Sequence, residues 1–519
     1  VKSFFLAFLT YVAHLASPPT RLLGDGLALI GGGILPFAFA PYAFFPLAIV
    51  SPALLFILWQ SCSPTRAFWR GFLFGIGYFG LGVSWVVISL HDFGSIPLAG
   101  ALILTGCFIL LLAFYPALLG WIIRRQFHNT PPYLKYLLIL PAGWTLQEWL
   151  RGWFLTGFPW LSLGYSQIDS PLRGFAPILG VYGISWLIAL SAGIVVYGIQ
   201  ISQWKQRSLL LLTFLTLWTT GGFLATYSWT QPIRDPLKVA LIQGNIPQEF
   251  KWITSYQKPS MERYLYLSQA HRDAQIIIWP ETAIPMFYHD IPAFYPGFLE
   301  KLAQEVSYHT DFLIGMPVLN QQDNTYYNAL ASFGQQQGFY YKHHLVPFGE
   351  YIPLQKSFGN FFNLLEVPFS EFTAGAAKQD PLYSAGEPIG ISICYEDAFG
   401  HLVRNHVPQT TFLVNISNDA WFGDSIAPHQ HLEIARMRAL ENGRYLLRAT
   451  NTGISAVINH QGQIVAQAPQ FKVITLRATV QPYQGITPYT YFGELLIIGI
   501  MLCSIGFGIL VGWRKRETS

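Results

Sequence analysis

Three short stretches of the 519-residue chain set reactive side chains where apolar runs end. Ile278-Trp279-Pro280-Glu281 puts a carboxylate directly after an apolar strand candidate, at the mouth where active sites of α/β sheets gather. The same position also suits a solvated loop acid or a helix cap. Lys342-His343-His344-Leu345-Val346-Pro347-Phe348-Gly349-Glu350 brackets an apolar stretch with two charges, which fits a surface ion pair as well as a site. Adjacent His343 and His344 cannot both face one site on a regular strand. No HExxH or CxxC spacing accompanies them, so no metal is expected. Ile391-Ser392-Ile393-Cys394-Tyr395-Glu396-Asp397 ends an apolar strand on a cysteine followed by acids, whereas an inert cysteine more naturally lies in mid-strand.

Four cysteines are present, and only Cys394 lies outside the apolar half of the chain and its closing apolar run. Cys62 ends an apolar run, and Cys107 and Cys503 lie within such runs. A lone thiol in a polar domain has no nearby disulfide partner. By itself that pattern also describes a buried small hydrophobe.

The elements that must position these residues lie between Lys238 and about Arg477, where short β-rich runs alternate with amphipathic stretches. Val239–Ile242, Ile276–Trp279, Phe312–Ile314, Ile389–Ile393, Phe412–Ile416 and Tyr445–Arg448 are strand candidates. His431–Leu440 reads as a helix with Ile434, Met437 and Ala439 or Leu440 on its apolar face. Strands alternating with helices argue for an α/β domain.

The rest of the chain has a different solvent. Hydrophobic residues make up 52% and charged residues 11% of the whole, against about 25% charged in soluble domains. A bilayer crossing takes about 20 apolar residues. The candidate spans are 22–39, 43–60, 68–90, 96–123, 135–150, 175–201 and 208–228, with a last one at 491–512. Basic residues fall in alternate loops: Arg66 and Arg70, then Arg124, Arg125 and Lys135, then Lys205 and Arg207, then Arg514, Lys515 and Arg516. One orientation puts all four clusters in the cytoplasm and the α/β domain on the outer face. No small-residue cleavage site follows the apolar residues 1–17, which read as an interfacial lead-in that includes Lys2. The aromatic stretch Arg151–Trp160 falls on the outer side, as an interfacial belt or a lipid-facing shelf. A net charge of +4 gives no case for nucleic-acid binding.

Taken together, strand-end Glu, then Lys, then strand-end Cys resembles the nitrilase superfamily. In detail the chain resembles its membrane-embedded apolipoprotein N-acyltransferase family. The supporting stretches are Phe158-Pro159-Trp160, Gly244-Asn245-Ile246-Pro247-Gln248, Trp279-Pro280-Glu281, Pro347-Phe348-Gly349-Glu350, Cys394-Tyr395-Glu396 and Ser417-Asn418-Asp419-Ala420-Trp421-Phe422-Gly423. No motif position departs from the pattern. The resemblance implies a polytopic α-helical membrane bundle (residues 1–229), a nitrilase-like four-layer α-β-β-α sandwich (230–490) and a closing transmembrane helix with a basic tail (491–519). It places the chain in the bacterial cytoplasmic membrane.

The resemblance also implies an activity without a cofactor. A fatty acyl chain passes from a phospholipid donor to the α-amino group of a diacylglyceryl-cysteine, the first residue of an apolipoprotein acceptor. Cys394 is then the nucleophile, and Glu281 the base that a thiol of pKa about 8.5 requires. Lys342 binds the oxyanion, and Glu350 supports the pair. Tyr395 and Glu396 shape the nucleophile's loop, and Trp252 lies on the substrate side. A nitrilase-like amidase passing the acyl group to water would use the same triad, but the whole bundle resembles the acyltransferase. A transporter would be expected to carry functional charges in its spans, where Asp25 is the obvious candidate.

Overall fold

The computed structural model describes residues 21–306, 309–351 and 372–517, with side chains described up to 511. The expected lead-in at 1–17 and the side chains of Arg514, Lys515 and Arg516 lie outside the described residues. The chain divides into two compact units, one formed by residues up to Val87, Ala99–Tyr227 and Phe492 onward, the other by Ile88–Leu98 and Ser228–Tyr491.

The first unit is helical. Helices fall in all eight ranges where apolar runs predict them, but they are unequal. Arg21–Ala38, Leu98–Gln126, Pro171–Gln200 and Trp204–Leu224 are long and apolar enough to cross a membrane, and Pro64–Gly82 with Val86–Phe93 adds a fifth if the pair, bent by 61°, is one span. Leu47–Leu58 and Leu495–Val511 are shorter. The range 135–150 is a π-helical turn followed by Leu140–Arg151. Leu102, Ile103, Leu209, Leu211 and Leu212 are exposed on these helices, an apolar face suited to lipid. Helices 21–34 and 64–82 meet closely because Gly32 has no side chain, since a Cβ there would lie 1.9 Å from the Phe74 carbonyl oxygen.

Charges assigned to loops prove to be partly internal. Arg70 is buried within Pro64–Gly82, 3.3 Å from Asp25, which Arg66 also contacts. Asp25 therefore has structural counter-ions. Glu148 and Arg151 are buried as well; Glu148 accepts from the Trp144 indole at 2.8 Å and the Leu163 amide at 3.0 Å. The 151–160 stretch is partly buried and partly exposed. Arg151 donates to the Phe158 carbonyl at 2.7 Å and to that of Trp160, drawing Trp160 into the core while Trp153, Phe154 and Leu155 stay exposed.

The second unit holds the strands β1 (Gln231–Pro232), β2 (Leu237–Gln243), β3 (Ile276–Trp279), β4 (Asp311–Asn320), β5 (Thr325–Phe333), β6 (Gly338–Tyr341), β7 (Leu382–Ser384), β8 (Glu387–Ile393), β9 (Phe412–Ser417), β10 (Leu446–Thr450), β11 (Ala456–Ile458), β12 (Ile464–Gln467), β13 (Ile474–Val480) and β14 (Tyr483–Gln484). Among the described residues they form two six-stranded sheets, ordered β13-β2-β3-β4-β5-β6 and β12-β11-β10-β9-β8-β7, and a β1-β14 ribbon. All six predicted strands are present. Parallel pairing joins β2-β3-β4 in one sheet and β8-β9-β10 in the other.

Strand periodicity builds the layers. Val239, Leu241, Ile276 and Ile278 pack in one buried cluster with Ile389, Ile391, Ile393, Val414 and Ile416 of the other sheet. The intervening residues Ala240, Ile242, Ile277 and Trp279 face Met261, Tyr264 and Leu302 of helices Thr254–Gln269 and Phe298–Val306. Leu413, Leu446 and Ile458 face Val403, Leu432, Ala435 and Ala439 of helices Gly400–His406 and Ala427–Asn442. The unit is a four-layer α-β-β-α sandwich.

Candidate active site

Glu281 follows β3, on a turn whose next residue, Thr282, has φ +51°. Strand β4 passes directly beside it; a Cβ on Gly315 would lie 2.7 Å from the Glu281 Cα, so only glycine permits this approach. The Glu281 carboxylate is buried yet fully engaged. Asn328 Nδ2 donates to Oε1 at 2.7 Å, and the Asn418 amide to Oε2 at 2.8 Å.

Lys342 follows β6 and is fixed on both sides of its own backbone, its N–H to the Asn328 carbonyl and its carbonyl to the Gly375 N–H, both at 2.8 Å. Its ammonium is buried, 2.9 Å and 2.8 Å from the two oxygens of Glu350 and 3.7 Å from Glu281 Oε1. Glu350 also accepts from Asn328 Nδ2 at 2.9 Å and from the Val346 amide at 2.8 Å. Burial pulls the Lys342 pKa down, but the charges of Glu350, Glu281 and Cys394 outweigh it and hold the group well above its ordinary value. Lys342 is thus a fixed positive charge.

Cys394 directly follows β8 and has φ +53°, a strained conformation for a residue with a Cβ. Its carbonyl oxygen faces His431 Nε2 at 3.3 Å and Asn415 Nδ2 at 3.4 Å. Burial and then the Glu281 charge push the thiol well above its ordinary pKa, against the opposing pull of Lys342. Both effects favour the protonated thiol over the thiolate.

Glu396 is buried and acts as a clamp. It accepts from the Ile393 and His343 amides at 2.7 Å, from the His344 amide at 3.1 Å and from the Tyr340 hydroxyl at 3.2 Å, tying the Lys342 segment to the Cys394 turn. Tyr395 packs edge-on to Phe399, 5.0 Å between rings. His344 lies against Phe399, and His343 Nδ1 is 2.7 Å from the Gly375 carbonyl. Trp252 is 52% exposed. It lines an open groove of about 800 Å³ with Pro285, Met286, Phe287, Tyr326 and Phe372.

Several side chains that contact these groups are not singled out individually in the sequence. Asn328 bridges both carboxylates, and Asn418 joins Glu281 to Gln248, whose Oε1 accepts from its Nδ2 at 2.7 Å. Behind Cys394, His431 Nδ1 lies 3.0 Å from Asp419 and Nε2 2.9 Å from Asp397, and Arg448 donates to Asp419 at 2.9 Å. This fully buried network also reaches Asn415 through Arg448. The Ser417–Gly423 motif was the available signal, because it contains both Asn418 and Asp419.

A strand-end thiol, a strand-end carboxylate and a lysine held by a second carboxylate, set in a four-layer sandwich, define a carbon-nitrogen hydrolase type of domain. The carbon-nitrogen hydrolase family matches residues 238–486, and the apolipoprotein N-acyltransferase N-terminal domain matches residues 31–194. The chain is similar to the apolipoprotein N-acyltransferases of Methylococcus capsulatus (44% identity, 95% of this chain and 97% of the relative) and Nitrosomonas europaea (43%, 94% and 97%). It is also similar to Saccharomyces cerevisiae Nit3, a nitrilase-superfamily structure, at 19% identity over 49% of this chain and 93% of that one, with a TM-score of 0.37. The chain belongs to the apolipoprotein N-acyltransferase family and is an acyltransferase.

Proposed function

We propose that this enzyme transfers a fatty acyl chain from a phospholipid to the α-amino group of a diacylglyceryl-cysteine at the N-terminus of an apolipoprotein, through a thioester on Cys394. The observation that carries the reading is the buried Lys342, gripped by Glu350 yet still 3.7 Å from Glu281. Such a charge serves an oxyanion rather than a proton transfer.

In the first half-reaction Cys394 Sγ attacks the ester carbonyl as Glu281 takes the thiol proton. The carbonyl oxygen becomes an oxyanion stabilised by Lys342. Collapse breaks the C–O bond, and the leaving alcohol takes the proton back from Glu281. In the second half-reaction the acceptor amine attacks the thioester and Glu281 removes its proton. Collapse then breaks the C–S bond, and Glu281 reprotonates the thiolate. The groove beside Trp252 offers an apolar wall for a lipid chain, and Tyr395 and Glu396 keep the nucleophile's turn in place.

We assign residues 1–229 and 491–519 to the membrane and 230–490 to the outer face of the bacterial cytoplasmic membrane, on the alternation of basic loops. Incubation with phospholipid and a diacylglyceryl-cysteine peptide tests the function. The expected product is the N-acyl peptide in equal amount to lysophospholipid; free fatty acid with no amide would make the enzyme a hydrolase instead.

A further inference from the structure

Lys251 is a buried lysine that the triad does not use. It closes the short helix Gln248–Lys251, next to the exposed Trp252. Its Nζ donates to the backbone carbonyl of Glu281 at 3.1 Å. Among the described residues, the titratable groups close enough to act on its charge are the Glu281 carboxylate and the Cys394 thiol. Two features of the site need such a group. The turn after Glu281 is strained at Thr282, and strained turns persist only where surrounding contacts over-determine them. Two carboxylates also converge on Lys342, whose single positive charge matches only one of them. Lys251 supplies the second, so that the four groups sum to zero while Cys394 is a thiol.

We propose that Lys251 is a positioning residue that props the Glu281 turn through its carbonyl oxygen and, as an ammonium, promotes ionisation of Cys394. The proposal rests on the acyl-transfer reading only for the identity of nucleophile and base. Burial lowers the Lys251 pKa to about 8, against the raising effect of Glu281 and Cys394. Below about pH 8 the ammonium is present and favours the thiolate. Above it the charge is lost and the thiol becomes harder to ionise. The logarithm of thiolate reactivity should therefore climb with pH and flatten near that value.

The test is alkylation of the full-length, detergent-solubilised protein by iodoacetamide from pH 5 to 10, read as the mass of the Cys394 peptide, with Cys394→Ala as control. Wild type should show the flattening. Lys251→Met should react about tenfold more slowly at pH 7, the lower end of what one neighbouring charge does, and show no break. Lys251→Arg, which stays charged, should restore the neutral-pH rate and climb straight through pH 8. A wild-type profile without the break overturns the proposal, as does Lys251→Met at the wild-type rate or a break retained in Lys251→Arg. The wild-type profile decides the matter even if a variant fails to fold. Because the probe replaces the phospholipid, failure here leaves acyl transfer standing, and a failure of acyl transfer leaves this measurement intact.

Discussion

Glu350 holds Lys342 with both carboxylate oxygens, at 2.9 Å and 2.8 Å, while Glu281 stands 3.7 Å away. The lysine's constant counter-ion is therefore not the proposed base. In the proposed mechanism Glu281 is thereby left to exchange a proton, and the side-chain amide of Asn328 and the backbone amide of Asn418 both donate to its carboxylate.

That division of labour predicts different outcomes for two variants. Lys342→Met should cut turnover by roughly 10²–10³, the range for one lost oxyanion donor, with Cys394 still in place. Glu350→Gln should lower both turnover and thermal stability, because it removes the close partner of a buried charge and leaves Lys342 only the 3.7 Å contact with Glu281. Near-normal turnover in Lys342→Met would reduce the lysine to a structural partner of Glu350.

The network behind Cys394 makes a stability prediction. Burial raises the Asp419 pKa, but Arg448 and His431 outweigh it and hold the carboxyl well below the usual range. Burial and Arg448 lower the His431 pKa, but Asp397 and Asp419 outweigh them and raise it. A depressed carboxylate contributes stability above its unfolded value of about 3.9, and a raised histidine contributes it below about 6.5. The network's contribution is therefore complete between those limits, lost in acid as Asp419 protonates and lost in base as His431 deprotonates. Asp419→Asn should cost about 3–5 kcal/mol, the range for breaking a buried pair, by denaturant unfolding at pH 6. An unchanged midpoint would show the network to be dispensable.

The strand-end positions of Glu281 and Cys394 were legible because each closes an apolar run, and their order with Lys342 pointed to the fold. The contacts that complete the site were not. Asn328 lies on β5, where Tyr326, Tyr327, Asn328 and Ala329 give no clean alternation, and its partners Glu281 and Glu350 are far off in sequence. One apolar face predicts a helix over His431–Leu440, and the helix observed there is Ala427–Asn442. Almost all of it is buried, so its polar face carries ion pairs rather than meeting water. In the bundle, hydropathy located the helices but not the break after Gly82, nor the burial of Arg70 against Asp25. Both depend on packing partners that no single segment reveals.

Orientation is open to a direct measurement. Gln322 lies at the exposed turn after β4. In a background lacking the other cysteines, a cysteine at that position should react with a membrane-impermeant thiol reagent in intact spheroplasts. Labelling only after lysis would place the α/β unit in the cytoplasm and reverse the topology drawn from the basic loops.

The remaining prediction is the covalent intermediate. Cys394 sits at φ +53° on a strand end, within reach of the charges of Glu281 and Lys342. Given phospholipid but no acceptor, the enzyme should stop after the first half-reaction, since water is not the intended nucleophile. Its intact mass should rise by one acyl group and return with neutral hydroxylamine, as a thioester does. Cys394→Ala should show no adduct. Cys394→Ser should form an ester more slowly, because a hydroxyl is harder to deprotonate than a thiol. Glu281→Gln keeps a hydrogen-bonding side chain beside Asn328 and Asn418 but removes the base, and general-base loss costs about 10²–10⁴. The adduct should therefore still form, but slowly. An adduct persisting in Cys394→Ala, or transfer without any adduct, would move the chemistry to direct attack by the acceptor amine on the phospholipid, with Glu281 alone as base.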